Sequence, residues 1–505
     1  MLRFIKKAIR LIDFFKKNWL ILLAVISVTS AFCLFYGRFG DVNIDCFREA
    51  YIPAQMLNGK ILYKNIFCIY PPLGYMINAV LFKVFGVNLS VLYFAGLIST
   101  LGIFHFANKI CKIFFNDFLS FGINLILFAG LVLSPNVFNS FFPYSYGMLY
   151  GILFALGALY FSLNKKFSIA YIFCSLALCS KAEFLPILPA LLIMSPKESF
   201  GKNSASFIIP FILIFGMLFA QGLRFSDLLI SAGLVKLISG TQTLHEFYSA
   251  MGLVPRIEHL NLYLNNFVKF IFPINWTKYQ EFLVWIFPAV TIFFVFRFKK
   301  LTQNEIFFVT ASVLISLKVF FALTLQSYGV YYLIFGLISL GILFGKNLKN
   351  IFAVYLIIWG LIIGFNNTKS LLNKNFTIKS KNGIVKTTLN NGKNLSALIE
   401  TVADFPEKSK VVIYPENLAV NYFTGKKSDD KFYSLIPLYV ETFGEENIIK
   451  RIRLTKPDFI IITDYNTFAY GYSKFGTNYA IKFKNYIDEN YTRTDESSTF
   501  IIYKK

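Results

Sequence analysis

Histidine is the rarest residue of this chain, and acidic side chains are few beside the basic ones. Against 50 Lys and Arg it carries 27 Asp and Glu, and its three histidines, His105, His245 and His259, are scattered. It has no zinc-ligand spacing, no clustered histidine, no Walker loop and no G-x-S-x-G, which removes the usual metal-site, P-loop and serine-hydrolase signatures. No metal site is therefore expected. Cysteine is equally uninformative: Cys33, Cys111, Cys174 and Cys179 lie in or beside apolar runs, and Cys46 and Cys68 share one loop. Spacing alone does not establish a bridge between those two, and we read all six as free thiols.

What the chain has instead is apolar surface. Of its 505 residues 56% are hydrophobic and 18% aromatic, more than a single globular core can hide. This is the composition of a polytopic membrane protein. The run Trp19 to Gly37 holds nineteen residues without a charge, and at about 1.5 Å per residue such a run spans roughly the hydrocarbon thickness of a bilayer. Many similar runs follow and no small-x-small cleavage site stands out, so it reads as a retained first helix rather than a signal peptide. Comparable spans fall near 89–108, 117–134, 146–163, 168–180, 184–196, 204–222, 282–297, 304–323, 328–345 and 351–366, about eleven helices in all. The shorter run from Pro71 to Val87 opens on Pro-Pro and carries Lys83, which suits a helix lying in the interface.

Basic residues flank every second connection: Arg3 to Lys17 before the first span, then Lys109 and Lys112, Lys165 and Lys166, Lys197 and Lys202, Arg297 to Lys300, and Lys346 and Lys349. By the positive-inside rule these connections, and the N-terminus, are cytoplasmic. The net charge of +23 then reflects topology and contact with anionic lipid, and nucleic acid is not an expected partner. An odd helix count leaves the C-terminus outside. The expected fold is thus an α-helical polytopic membrane domain, residues 1–367, with outer loops 38–88 and 223–281, followed by a small extracytoplasmic α/β domain, residues 368–505. In that tail, 394–405 and 445–454 have helical spacing, while 410–415 and 457–465 read as strands. The closing run from Thr499 reads as one more strand, antiparallel at an edge.

Three of the scarce carboxylates, Asp41, Asp45 and Glu49, fall within nine residues directly after the first span, with Arg48 among them. On a short helix Asp45 and Glu49 would share one face. A carboxylate held there beside an arginine suits a general base that deprotonates a hydroxyl. On spacing alone the plainer reading comes first: Asp45 as a helix N-cap, with Glu49 solvated and Arg48 paired to one of them.

The run from Asp45 to Gly86, reading D-x-x-R-E-x-Y, L-x-G-x-x-L-Y, Y-P-P-L-x-Y and L-F-x-x-F-G, resembles the first outer loop of the C-type glycosyltransferase superfamily, which includes protein O-mannosyltransferases and lipid A aminoarabinose transferases. The resemblance implies a polyprenyl-phosphate sugar as donor, inversion at the anomeric carbon, and an acidic residue of this loop in catalysis. It makes Asp45 the match for that acid, with Glu49 its companion and Asp41 a rival. No cofactor is implied, although some relatives use a divalent metal. The chain departs from several relatives at Tyr70, where they carry a lysine before Pro-Pro thought to hold the donor phosphate.

Other cations must then take that part. Lys318 lies about thirteen residues along its span, roughly 20 Å up, where a lysine is either functional or snorkels to the headgroups. Lys181 and Glu183 sit at a helix end and either serve the site or pair with each other. Arg48 is the third candidate for the phosphate. Tyr70, Glu183, Tyr328 and His245 are candidates for substrate contact, with an interfacial aromatic belt the other reading of Tyr328. The expected partners are membrane lipid, the lipid-linked sugar and a glycan, lipid or protein acceptor, and the expected location is a bacterial inner membrane. Two rival classes remain, a transporter or flippase, although no internal repeat is visible, and a non-catalytic component of polysaccharide assembly. Replacing Asp45 by Asn separates them, because only the enzyme needs that carboxylate.

Overall fold

The computed structural model describes residues 2–42, 45–244, 246, 280–316, 328–497 and 499–505. Among the described residues up to Leu372 the regular elements are helices: α1 (Leu2–Leu34), α2 (Arg48–Leu57), α3 (Leu73–Phe85), α4 (Leu89–Phe114), α5 (Asp117–Leu127, continued by a π turn to Val132), α6 (Tyr146–Leu163), α7 (Phe167–Ser180), α8 (Ile187–Met194), α9 (Phe200–Ala220) and α10 (Phe225–Ser239), then helices Gln280–Arg297, Gln303–Ile315, Leu333–Leu343 and Lys346–Leu372. Among the described residues four helices are long and apolar enough to cross a membrane, Leu89–Phe114, Tyr146–Leu163, Lys197–Ala220 and Leu348–Leu372, and shorter apolar helices pack between them. Exposed Ile98, Ile193, Ile212, Val295 and Phe365 on these helices face outward, as apolar side chains do where lipid is the solvent.

Local chemistry starts the helices where the hydropathy predicts. Asn88 caps α4 by accepting from Ser90 N–H at 2.9 Å, Asn116 caps α5 through Leu119 N–H at 3.1 Å, and Ser145 caps α6 through Met148 N–H at 3.3 Å. Pro-Pro at 71–72 precedes α3, whose N-terminal turn begins at Leu73. The helices then meet through glycine. A Cβ on Gly74 of α3 would lie 2.8 Å from Gly147 N, and one on Gly147 of α6 would lie 2.5 Å from Ser180 O at the end of α7. Only glycine permits backbones that close. The residues beside these contacts, Tyr70 before α3, Tyr144 before α6 and Lys181 after α7, are thereby drawn to one spot.

The C-terminal domain begins with a hairpin, β1 (Phe376–Ser380) with β2 (Gly383–Thr387), that no sequence feature announced. A second sheet has the order β3 (Val411–Tyr414), β4 (Phe459–Thr463), β6 (Phe500–Lys504), β5 (Thr492–Glu496). β3 and β4 are parallel, and β6 is antiparallel to both β4 and β5. The closing strand is thus interior rather than at an edge. Its Phe500, Ile502 and Tyr503 are buried, while the edge is taken by β5, whose Thr-Arg-Thr-Asp-Glu run is exposed along its length. Charged residues at a sheet edge discourage further pairing, which fits β5 and not the apolar β6. Helices Leu389–Ala403 and Glu445–Thr455 and strands β3 and β4 fall where the periodicity predicts.

This domain is seated on the loop face of the helical bundle. Lys386 N–H donates to Gly37 O at 2.6 Å, Leu89 N–H to Asn382 O at 2.9 Å, and Phe67 N–H to Lys431 O at 3.1 Å. Lys374, just after the last membrane helix, donates to Gly40 O and Pro135 O. Phe47 stacks edge-on with Phe142 and packs on Phe423, with ring centroids 5.5 and 5.1 Å apart. The described part of loop 223–281 joins the same assembly, since Ile238 of α10 shares a core with Phe67 and Phe443 and Thr243 bonds to Glu441.

Candidate active site

The helix expected to carry both loop carboxylates starts at Arg48, three residues later than that reading needs. Asp45 stands outside it with φ +51°, and its carbonyl accepts the Arg48 N–H in a tight turn. Asp is one of the few residues that adopt this left-handed conformation readily. The two carboxylates therefore do not share a face. Phe47, not Asp45, occupies the N-cap, and no side chain caps it. Asp45 keeps 35% of its side chain exposed and accepts from Arg48 Nη1 at 2.9 Å. Glu49 points inward and is 1% exposed.

Glu49 is held on all sides. Tyr75 Oη donates to one oxygen at 3.0 Å, Tyr146 N–H to the other at 2.8 Å, and Arg48 Nε lies 3.6 Å away. Burial pushes its carboxyl up, and Arg48, the Tyr146 N–H, the Tyr75 hydroxyl and Lys181 pull it back. Arg48 is buried too, and Nη2 donates to Tyr144 O at 3.0 Å. Asp41, half-buried, has its N–H on Cys46 Sγ at 3.3 Å and its charge acts on Lys374.

Lys181 completes the corner. Its Nζ lies 3.9 Å from the centroid of the Tyr70 ring and 3.4 Å from Tyr144 Oη, and the two tyrosine hydroxyls are 3.0 Å apart. Arg48 Cζ sits 5.1 Å from the same Tyr70 ring and 5.4 Å from Tyr144. Two buried cations thus flank one tyrosine pair, in cation–π range. Glu183 takes a different direction and accepts from Tyr332 Oη. Tyr331 is buried, with Oη 3.4 Å from Asn139 O. Lys318 and His245 lie outside the described residues, as does the side chain of Tyr328. Among the described residues no three potential ligands cluster as a metal site would require.

The structure therefore brings together Asp45, Arg48, Glu49, Tyr70 and Lys181, and adds two residues that sequence reasoning missed. Tyr144 lies in a short connection with no motif, and only its place before the Ser145 cap hints at a positioned side chain. Glu416 follows β3, is buried, accepts from Ser434 Oγ at 2.7 Å, and is close enough to the Asp45 backbone N–H to feel it. Burial first, and then the Asp45 charge, push its carboxyl up to about 7, against the pull of Ser434, Arg48 and the Asp45 N–H.

A fold with this helical bundle and seated domain is found in two solved membrane enzymes, ArnT and an archaeal oligosaccharyltransferase. The crystal structure of ArnT from Cupriavidus metallidurans bound to undecaprenyl phosphate superposes with a TM-score of 0.58 at 10% identity, covering 96% of this chain and 98% of that one. The apo form of ArnT gives 0.53 at 10% identity, covering 97% and 98%. The oligosaccharyltransferase of Archaeoglobus fulgidus, tethered to an acceptor peptide, gives 0.50 at 12% identity, covering 90% of this chain and 70% of that one. No family model and no curated protein matches the chain.

Proposed function

We propose that the chain is an inverting glycosyltransferase that moves a sugar from a polyprenyl-phosphate donor to a hydroxyl of a glycan, lipid or protein acceptor. The observation that carries this reading is the meeting of Asp45, Arg48 and Lys181 around the Tyr70–Tyr144 pair, where loop, helix ends and soluble domain join. In the reaction the acceptor oxygen bonds to the anomeric carbon as the bond from that carbon to the phosphate oxygen breaks. The hydroxyl proton passes to the Asp45 carboxylate, and the electron pair of the broken bond leaves on the polyprenyl phosphate. That leaving group gains one negative charge, which Lys181 and Arg48 are positioned to stabilise with N–H donors in a water-poor corner. Charge stabilisation is what a phosphate leaving group chiefly needs. Arg48 holds Asp45 from behind, and Glu49 holds Arg48, so the base and the cation pair form one framework.

The face carrying loop 38–88 would be extracytoplasmic, since the basic connections lie on the other, and the membrane would be a bacterial inner membrane. The ArnT structure binds undecaprenyl phosphate and the oligosaccharyltransferase structure holds an acceptor peptide, which supports a lipid-linked donor and an acceptor from outside. The purified protein in nanodiscs, given a labelled polyprenyl-phosphate sugar and a membrane extract as acceptor source, should form a product of inverted anomeric configuration by NMR. A retained configuration contradicts the single displacement, and movement of the donor across the bilayer without transfer would instead favour the transporter.

A further inference from the structure

The C-terminal domain contains a cavity of 390 Å³ at the carboxyl ends of the parallel strands β3 and β4, the place where open α/β sheets bind ligands. Its polar lining comes from the loops after both strands, Glu416 with Asn417 and Asp464 with Asn466, and from the facing helix Leu389–Ala403, through Asn391 and Asn394. Leu395 and Phe500 contribute an apolar floor and Tyr465 an aromatic wall. Four amides and two carboxylates supply both donors and acceptors, the groups that sugar hydroxyls pair with, and none of the lining residues is basic. Asp464 is paired with Lys474 at 2.9 Å, which leaves Glu416 as the carboxylate without a lysine or arginine ion partner in the lining; a phosphate or other anion would meet it, whereas a neutral sugar would meet hydrogen-bond partners.

The position matters as much as the lining. Glu416 belongs to the cavity, and its carboxyl feels the backbone N–H of Asp45. Glu416 therefore stands between the cavity and the residue proposed to take the acceptor proton. We propose that this cavity is the acceptor subsite and that the acceptor is an uncharged, hydroxyl-rich glycan. This rests on the glycosyltransferase reading above and narrows it, separating a saccharide acceptor from a peptide or simple lipid alcohol.

Asn394 is exposed on a helix, so Asn394→Trp fills the cavity mouth without disturbing a core. With the full chain in nanodiscs, Asn394→Trp should raise the apparent KM for the acceptor extract by about tenfold or more, the cost of a lost hydroxyl site. Binding of undecaprenyl phosphate, the probe for the donor half, should stay unchanged, which also reports that the variant is folded. Cleaving vicinal diols in the acceptor extract with periodate before the donor is added should abolish acceptance by the unsubstituted protein. Normal transfer by Asn394→Trp, or normal acceptance after periodate, overturns the subsite while leaving the glycosyltransferase reading intact. Absence of any transfer by the unsubstituted protein, with untreated extract, overturns both.

Discussion

Two regions that touch through Glu416 have opposite chemistry. The corner at the helix ends places two cations, Arg48 and Lys181, against tyrosine rings and buries both. The cavity above it is lined by amides and carboxylates, with no basic residue. Charge is thereby sorted along one path, cationic where a lipid phosphate would lie and hydrogen-bonding where hydroxyls would lie, with Asp45 at the boundary. A protein this poor in carboxylates and this rich in lysine reaches that arrangement by burying specific cations rather than by accumulating them.

If the corner is the phosphate end, removing one cation should cost far more than any change in the cavity. Lys181→Met keeps the aliphatic stem over Tyr70 and deletes the charge, so kcat for transfer should fall about 10²–10³-fold, with a smaller loss in undecaprenyl phosphate affinity measured in nanodiscs. Equal transfer rates would mean that the phosphate is held elsewhere. Gly147→Ala attacks the same corner from behind. The new methyl group would lie 2.5 Å from Ser180 O, so the end of α7 must shift, at about 1–3 kcal/mol. Moving Lys181 even slightly should lower transfer by about tenfold, and a thermal melt beside the rate assay separates the two effects.

The smallest expected effect lies on the cavity side and is one of pH. The Glu416 carboxyl stands at about 7 in the folded protein against an ordinary 4.5, so between those values the unfolded chain releases a proton that the folded one keeps. Stability is therefore full at low pH and falls as pH rises through that window, by at most about 3 kcal/mol. Glu416→Gln should flatten the dependence of the melting temperature on pH across it. An unchanged slope would place the titrating group elsewhere.

Much of the helical architecture is legible in the sequence, because apolar length reflects the solvent directly. The helix Tyr146–Leu163 has the bounds expected of it, and α7 begins one residue early. Asp45, Arg48, Tyr70 and Lys181 were singled out by scarcity, by motif or by position at a helix end. The conformation of Asp45 was not legible, because i to i+4 spacing is silent about where a helix starts. Nor was the role of Tyr144 or Glu416, which depends on contacts between segments far apart in the chain. One trace was present in hindsight: both parallel strands end in an acid and an asparagine, Pro-Glu-Asn at 415–417 and Asp-Tyr-Asn at 464–466. The edge strand was missed for the opposite reason, since its charged run looks like a loop until β6 pairs with it.

The proposed transfer requires a proton to leave the acceptor for Asp45, and single-turnover transfer from donor already bound isolates that step. Asp45→Asn should lose about 10³-fold or more in this rate, with undecaprenyl phosphate binding and melting temperature preserved. An unchanged single-turnover rate in that variant would contradict the role of Asp45 as the base.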